Sequence, residues 1–150
     1  MSTGTFEKMV KAPIEDVWDF IRTIDQWAPL APGYIDHTII NDEISQWTIK
    51  IDAGMLKKKL HVEIEIREWS RPNYVTFELR GLNEKLTGSG SFLTEGVSAI
   101  QTKIIGSLSI QSSSSLRKII TPLIEKTVPE MTRELTLNVG SEIEKHYSIR

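Results

Sequence analysis

Three histidines, His37, His61 and His146, are the first places to look for acid–base or metal chemistry. They lie far apart, and no H-x-x-x-H pair joins them. A histidine-based metal site needs such paired spacing, so none is supported. Cysteine is absent, which excludes disulfides, thiol catalysis and thiolate metal centres. Serine is abundant, yet no G-x-S-x-G nucleophile elbow occurs. Gly88-Ser89-Gly90 sits inside strand-like patterning rather than at a strand-to-helix turn, so it is not a phosphate loop. Glu63 and Glu65 are two residues apart, flanked by His61 and Arg67, with Thr76, Glu78 and Arg80 placed to lie across a hairpin. Paired carboxylates do acid–base work only in a cleft that shifts their pKa. A solvated cross-strand charge ladder, at ~0.2–1 kcal/mol per pair, is the simpler reading. His61 and His146 read as solvated surface, and His37 as a satisfied loop or strand-edge histidine rather than a general base. No residue is nominated as catalytic or as a metal ligand, and nothing calls for a cofactor.

One stretch suggests surface chemistry. Lys57-Lys58-Lys59 directly follows Met55-Leu56 at the tip of an expected hairpin. Two apolar residues beside three lysines suit an anionic membrane surface, each lysine contributing ~1 kcal/mol there. A solvated turn with edge-protecting lysines is the preferred alternative.

The elements that carry these residues follow from periodicity. A strand is expected over Thr5 to Lys11, then a helix in which Pro13 suits the first turn and Glu15 and Asp16 favour the positive end of the dipole. Ile14, Val17, Trp18 and Ile21 give that helix one buried stripe. A short second helix covers Ile24 to Leu30 before Pro32-Gly33 stops it. Asp25 reads as a helix-capping residue just before Trp27. From Ile35 to Gln111 the period changes to two, with Trp47, Ile49 and Ile51, then Val62, Ile64 and Ile66, then Val75, Phe77 and Leu79 on one face of their strands. Asn41-Asp42, Ala53-Gly54, Pro72-Asn73, Leu82-Asn83 and Glu95-Gly96 supply the turns. After Ser112 to Ser115 the helical period returns, with Leu116, Ile120, Leu123, Ile124, Val128, Met131, Leu135, Val139 and Ile143 in one stripe. Pro122 and Pro129 predict a kink, or a short helix and then a longer one. The capping-box spacing of Thr127-Val128-Pro129-Glu130 favours a restart there. A helix from Pro129 to Tyr147 would be ~28 Å long, which matches the breadth of such a sheet.

These elements make an α+β fold: a seven-stranded curved antiparallel sheet wrapped around a long C-terminal helix, with two short helices between strands one and two. With 150 residues, a single domain over 1–150 is expected. The charge of −2 from 18 basic and 20 acidic residues lacks the excess of a nucleic-acid binder. No apolar run reaches a membrane span and no signal pattern opens the chain, so a cytoplasmic location is expected, with membrane contact peripheral at most.

The run Val10-Lys11-Ala12-Pro13-Ile14-Glu15-Asp16-Val17-Trp18-Asp19-Phe20-Ile21 resembles the first strand and helix of the START-like helix-grip superfamily, also called SRPBCC. Asp25, Trp27, Pro32-Gly33 and Gly88-Ser89-Gly90 are most similar to its CoxG branch, which takes its name from carbon monoxide dehydrogenase. The superfamily includes lipid carriers, polyketide cyclases, ring-hydroxylase subunits and adaptors, so the resemblance specifies a fold more than an activity. It implies an apolar cavity between the concave sheet face and the C-terminal helix, with Asp25 near its mouth. Residues expected to line that cavity are Trp27, Trp47, Ile51, Ile64, Phe77, Leu79, Gly90, Phe92, Met131 and Leu135. Gly88 and Gly90 leave two inward positions without side chains, either to admit a ligand or to let the helix backbone approach. The leading expectation is a non-catalytic binder of a small hydrophobic or amphipathic ligand. Second comes an adaptor aiding maturation or membrane recruitment of a molybdenum hydroxylase, its protein partner. A cyclase-like enzyme ranks third, because the expected inward face offers no convincing His, Tyr or acidic residue.

Overall fold

A computed structural model describes residues 2–53, 56–115 and 117–148; the side chains of residues 2, 53, 56 and 120 lie outside that description. Met55 and Leu116 are therefore outside the described residues, as is the side chain of Leu56. The chain runs β1 (Ser2–Val10), α1 (Ile14–Ile21), α2 (Ile24–Trp27) and a 3-10 turn (Ala28–Leu30). It continues through β2 (Tyr34–Ile39), β3 (Ile44–Ala53), β4 (Leu56–Ser70), β5 (Tyr74–Gly81), β6 (Leu86–Ser98) and β7 (Gln101–Ser112) to α3 (Arg117–Ser148). The expected architecture is present: one seven-stranded antiparallel sheet in the order β1-β7-β6-β5-β4-β3-β2. The strands β2 to β7 form a meander, and β1 returns beside β7, so β1 and β2 are the two edges.

The boundaries depart from expectation in identifiable ways. The first strand occupies Ser2–Val10 rather than Thr5 to Lys11, and its Gly4, Phe6, Lys8 and Val10 face Leu108, Gly106, Ile104 and Thr102 across the ladder. No turn forms at Glu95-Gly96. Instead β6 runs on to Ser98 and the register shifts between Gly96 and Ser98, so the glycine marks a bulge. In α1 the first turn carries Glu15 and Asp16 as expected, but the buried set is Val17, Trp18, Phe20 and Ile21, and Ile14 is only half-buried.

The largest correction concerns α3. No restart occurs at Thr127-Val128-Pro129-Glu130, because the helix is continuous over 32 residues with both prolines inside it, a length of about 48 Å. Tertiary packing holds the chain helical through Pro129. Gly4 lacks the Cβ that would stand 2.7 Å from Thr132 Oγ1 and 2.8 Å from the Pro129 Cα, so helix and strand touch closely there. A Cβ on Gly106 would likewise collide with Thr136 Oγ1, and one on Gly140 with the Lys8 stem. The seam buried against β1 and β7 is thus Val128, Thr132, Thr136, Val139, Gly140 and Ile143. The two buried threonine hydroxyls donate to the carbonyls four residues back, Val128 at 2.8 Å and Thr132 at 2.7 Å, so neither is left unsatisfied.

Candidate functional site

Register defines the concave face without ambiguity. Trp47 stands opposite Val62, Ile64 opposite Leu79, Ile66 opposite Phe77, and Val75 opposite Phe92. Over this face the segment α2 inserts Trp27, which is 1% exposed. Its ring centroid lies 5.5 Å from Trp47, 5.9 Å from Phe77 and 5.2 Å from Phe92, edge-on to the first and last. Its indole N–H donates to the Ile21 carbonyl at 2.9 Å, which satisfies the one polar atom such burial would strand. Trp47 does the same locally, donating to Ser45 Oγ at 2.8 Å. The segment is pinned from α3 as well, where Asn138 Nδ2 donates to the Leu30 carbonyl at 3.1 Å.

The concave face is closed at one end and half-open at the other. Around α1 the inward residues Val10, Val75, Phe92, Thr102 and Ile104 are fully buried. Toward the opposite end Ile51, Leu60, Leu86, Gly88, Leu108 and Ile110 are only half-buried, although they share the same face. The helix explains the difference. It reaches Gly4 with Val128 to Thr132, and it meets Gly106 and Val10 further on, with Thr136 and Gly140. Residues 117–127 therefore project past the tight seam, with Leu123 and Ile124 half-buried and Ile119 68% exposed.

Against this geometry the ten nominated residues separate into two groups. Trp27, Trp47, Ile64, Phe77, Leu79 and Phe92 are buried together as core. Ile51 and Leu135 pack on that core from the half-open side, and Met131 is half-buried on α3. At Gly90 a Cβ would strike the Phe77 ring, and at Gly88 one would meet Leu79 at 3.1 Å. The cross-strand neighbours occupy those gaps, not the helix backbone.

The polar candidates also find their places. On the outer face Arg80 binds Glu63 at 2.9 Å, and Arg67 reaches Glu78 at 2.6 Å and Glu65 at 3.3 Å. This is the solvated ladder expected, lining a shallow trough of about 500 Å³. Hydrogen bonds from Arg80 and Gln46 hold the Glu63 carboxyl below its ordinary value. Lys58 is bridged to Glu84, while Lys57 and Lys59 are exposed beside it at the half-open end. Among the described residues no group of three or more His, Cys, Asp or Glu is placed to hold a metal, and no helix is long and apolar enough to cross a membrane.

Asp25 and His37 depart from expectation. The N-cap of α2 is Thr23, and no side chain caps that helix, so Asp25 does not hold the capping role. Its Oδ1 is 2.6 Å from His37 Nε2, and His37 Nδ1 is 2.5 Å from the Tyr34 hydroxyl. Tyr34 and His37 are three residues apart, which in a regular strand puts them on opposite faces. The register shift between Tyr34 and Asp36 inserts one extra residue, so Tyr34 pairs with Ile49, His37 pairs with Trp47, and both join the concave face. Gly33, at φ 77°, starts the strand where a Cβ would collide with the Lys50 carbonyl. Burial, then Asp36 and Asp25, raise the Tyr34 phenol above its ordinary 10.0. The expected absence of His, Tyr and acidic groups from the inward side is thereby corrected.

Known proteins share this arrangement. A conserved protein from Geobacillus kaustophilus superposes with a TM-score of 0.81 at 14% identity, covering 97% of each chain. A START superfamily protein from Mycobacterium smegmatis gives 0.71 at 12% identity, over 97% of this chain and 99% of that one. The ZhuI aromatase/cyclase from Streptomyces sp. R1128 gives 0.65 at 13% identity, over 99% and 95%. At such identities the likeness establishes the helix-grip fold alone. No curated protein matches the sequence. The profile of the carbon monoxide dehydrogenase CoxG family matches residues 4–144.

Proposed function

The chain belongs to the CoxG family of carbon monoxide dehydrogenase, and from that premise we propose that it is a non-catalytic binding protein for a small hydrophobic or amphipathic ligand. The ligand enters at the half-open end, between the sheet and the first third of α3. The observation that carries this reading is the burial gradient along one continuous apolar face. Ile51, Leu60, Leu108 and Ile110 stay half-buried although the fold buries their neighbours completely. A ligand that covers such residues gains ~25 cal/mol for each Å² of apolar surface removed from water. Met131 and Leu135 of α3 contact it from above, Ile51 from the sheet, and the cluster of Trp27, Trp47, Ile64, Phe77, Leu79, Phe92 and Gly90 forms the floor.

Native mass spectrometry of gently purified protein, followed by organic extraction, tests the reading. A reproducibly bound apolar or amphipathic species, displaced by an apolar fluorescent probe, is the expected result. An empty protein that also ignores a broad panel of apolar probes overturns it.

Family membership favours a second reading, an adaptor that assists maturation or recruitment of a molybdenum hydroxylase. A hydroxylase that co-purifies with the chain supports it, and a source genome without any such enzyme refutes it. The exposed Lys57 and Lys59 at the half-open end add a membrane contact to either reading. Lys57→Gln with Lys59→Gln should weaken binding to anionic liposomes, at ~1 kcal/mol per lysine. Unchanged binding removes the membrane contact.

A further inference from the structure

Hydrogen-bond bookkeeping at the edge of the concave face reaches one step further. Asp25 is 67% exposed and His37 only 11%. An ionised carboxylate accepts and never donates, so the imidazole Nε2 facing Asp25 carries the proton. In the neutral ring Nδ1 is then a bare lone pair, and the Tyr34 hydroxyl must give it its only proton. The Tyr34 oxygen is left as an acceptor, with its remaining lone pairs directed away from the histidine. Asp25 fixes the tautomer of His37, and His37 fixes the polarity of Tyr34.

The backbone around this chain of contacts is specialised for it. The bulge at Ile35 turns Tyr34 and His37 onto one face, and bulges commonly serve to re-aim a side chain. Tyr34 itself is half-buried and packs on the apolar core, in the same partly covered set as Leu30, Ile51, Leu60, Leu108, Ile110 and Leu135. It brings an oriented acceptor to the wall of an otherwise apolar site. Few, well-placed polar groups are what fix a ligand's orientation in such a pocket.

We propose that the Tyr34 hydroxyl oxygen is the polar anchor of the ligand site, so that the ligand carries a hydroxyl or another hydrogen-bond donor beside its apolar body. The inference rests on the ligand-binding reading above and narrows its substrate class. The neighbouring carboxylates of Asp25 and Asp36 point the same way, because their field favours a donor over an acceptor.

A matched pair of probes separates the two levels. 2-Naphthol and 2-methoxynaphthalene share an apolar body, and only the first donates. Calorimetric titration should show 2-naphthol binding about tenfold more tightly, as one net hydrogen bond provides. In Tyr34→Phe that preference should vanish while the affinity for 2-methoxynaphthalene is kept. His37→Gln, which removes the group orienting the phenol, should reduce the preference as well, and it serves where Tyr34→Phe fails to fold. Tyr74→Phe is the control, since the Tyr74 hydroxyl bonds Glu68 on another part of the sheet; it should keep the full preference. Equal binding of both probes by the native protein, or a preference that survives Tyr34→Phe, overturns the anchor and leaves ligand binding intact. Binding of neither probe overturns the ligand-binding reading and the anchor with it.

Discussion

Replacing Trp27 by alanine is the most informative single perturbation, because that side chain joins the stability of the fold to the floor of the site. Three aromatic rings meet it at 5.2–5.9 Å, and its indole N–H binds the Ile21 carbonyl. Truncation removes roughly 140 Å³, which at ~24 cal/mol per Å³ of residual cavity costs about 3 kcal/mol beyond the transfer loss. Measured Trp-to-Ala changes in cores run about 3–5 kcal/mol, and the stranded Ile21 carbonyl places this one near the top of that range. For a chain of this size that corresponds to a fall in Tm of roughly 10–20 °C at ~2–4 °C per kcal/mol.

The cavity left behind would be lined by Trp47, Phe77 and Phe92, and therefore apolar. Indole should fill it and return about 2.7 kcal/mol at a hundredfold excess over its Kd, recovering part of the lost Tm. Thermal denaturation of both proteins with and without indole is the assay. A loss below about 1.5 kcal/mol would show that Trp27 is not wedged as described. An equal rise in the native protein would show that indole binds elsewhere, in which case the cavity calculation fails.

Three further outcomes follow from the same contacts. Gly106→Ala should destabilise the protein by about 1–3 kcal/mol, because its Cβ strikes Thr136; in a Thr136→Ala background most of that loss should disappear in urea denaturation. Met131→Ala and Leu135→Ala should each weaken binding of an apolar probe, by up to about tenfold, at ~0.8 kcal/mol per buried methylene; unchanged affinity in a folded variant would place them outside the site. The Tyr34 phenol should ionise above its ordinary value in an ultraviolet titration, and Asp36→Asn should bring it down. Because the folded value is raised, its contribution to stability is complete below the ordinary tyrosine range and is lost as the pH rises through that range.

Much of the sheet was legible because one face is wet. Where Val62, Ile64 and Ile66 alternate with Glu63, Glu65 and Arg67, a slip of one residue would bury the charges, so period and facing come together. The same logic failed at β6, where Gly96 stood for a turn that is in fact a bulge. The end of a strand depends on its partner's register as much as on its own residues. It failed again on α3, where the apolar stripe suggested the packing face. The close seam uses Thr132 and Thr136, which face glycines of β1 and β7 that are more than a hundred residues away or nearly thirty, and no local pattern joins them. Capping-box spacing at Thr127 is a local signal too, and contact with Gly4 overrode it.

The polar edge of the site was hidden for a sharper reason. Facing in a strand is read by parity, and parity separates Tyr34 from His37. A single inserted residue reverses that relation, and composition carries no mark of it beyond the Pro32-Gly33 step where the strand begins. Asp25 was hidden differently, since a short helix beginning next to an acid invites a capping role that Thr23 occupies in position. Each of the three residues has a sufficient local explanation, and only the folded register shows that they form one chain of hydrogen bonds. The aromatic floor is the converse case. Trp27, Trp47, Phe77 and Phe92 announce an apolar interior from sequence, yet their mutual contact means they fill that interior themselves. Space for a ligand is therefore set by where α3 departs from the sheet, and selectivity for it by the edge strand, two features that lie at opposite sides of the fold and that the apolar pattern records only in part.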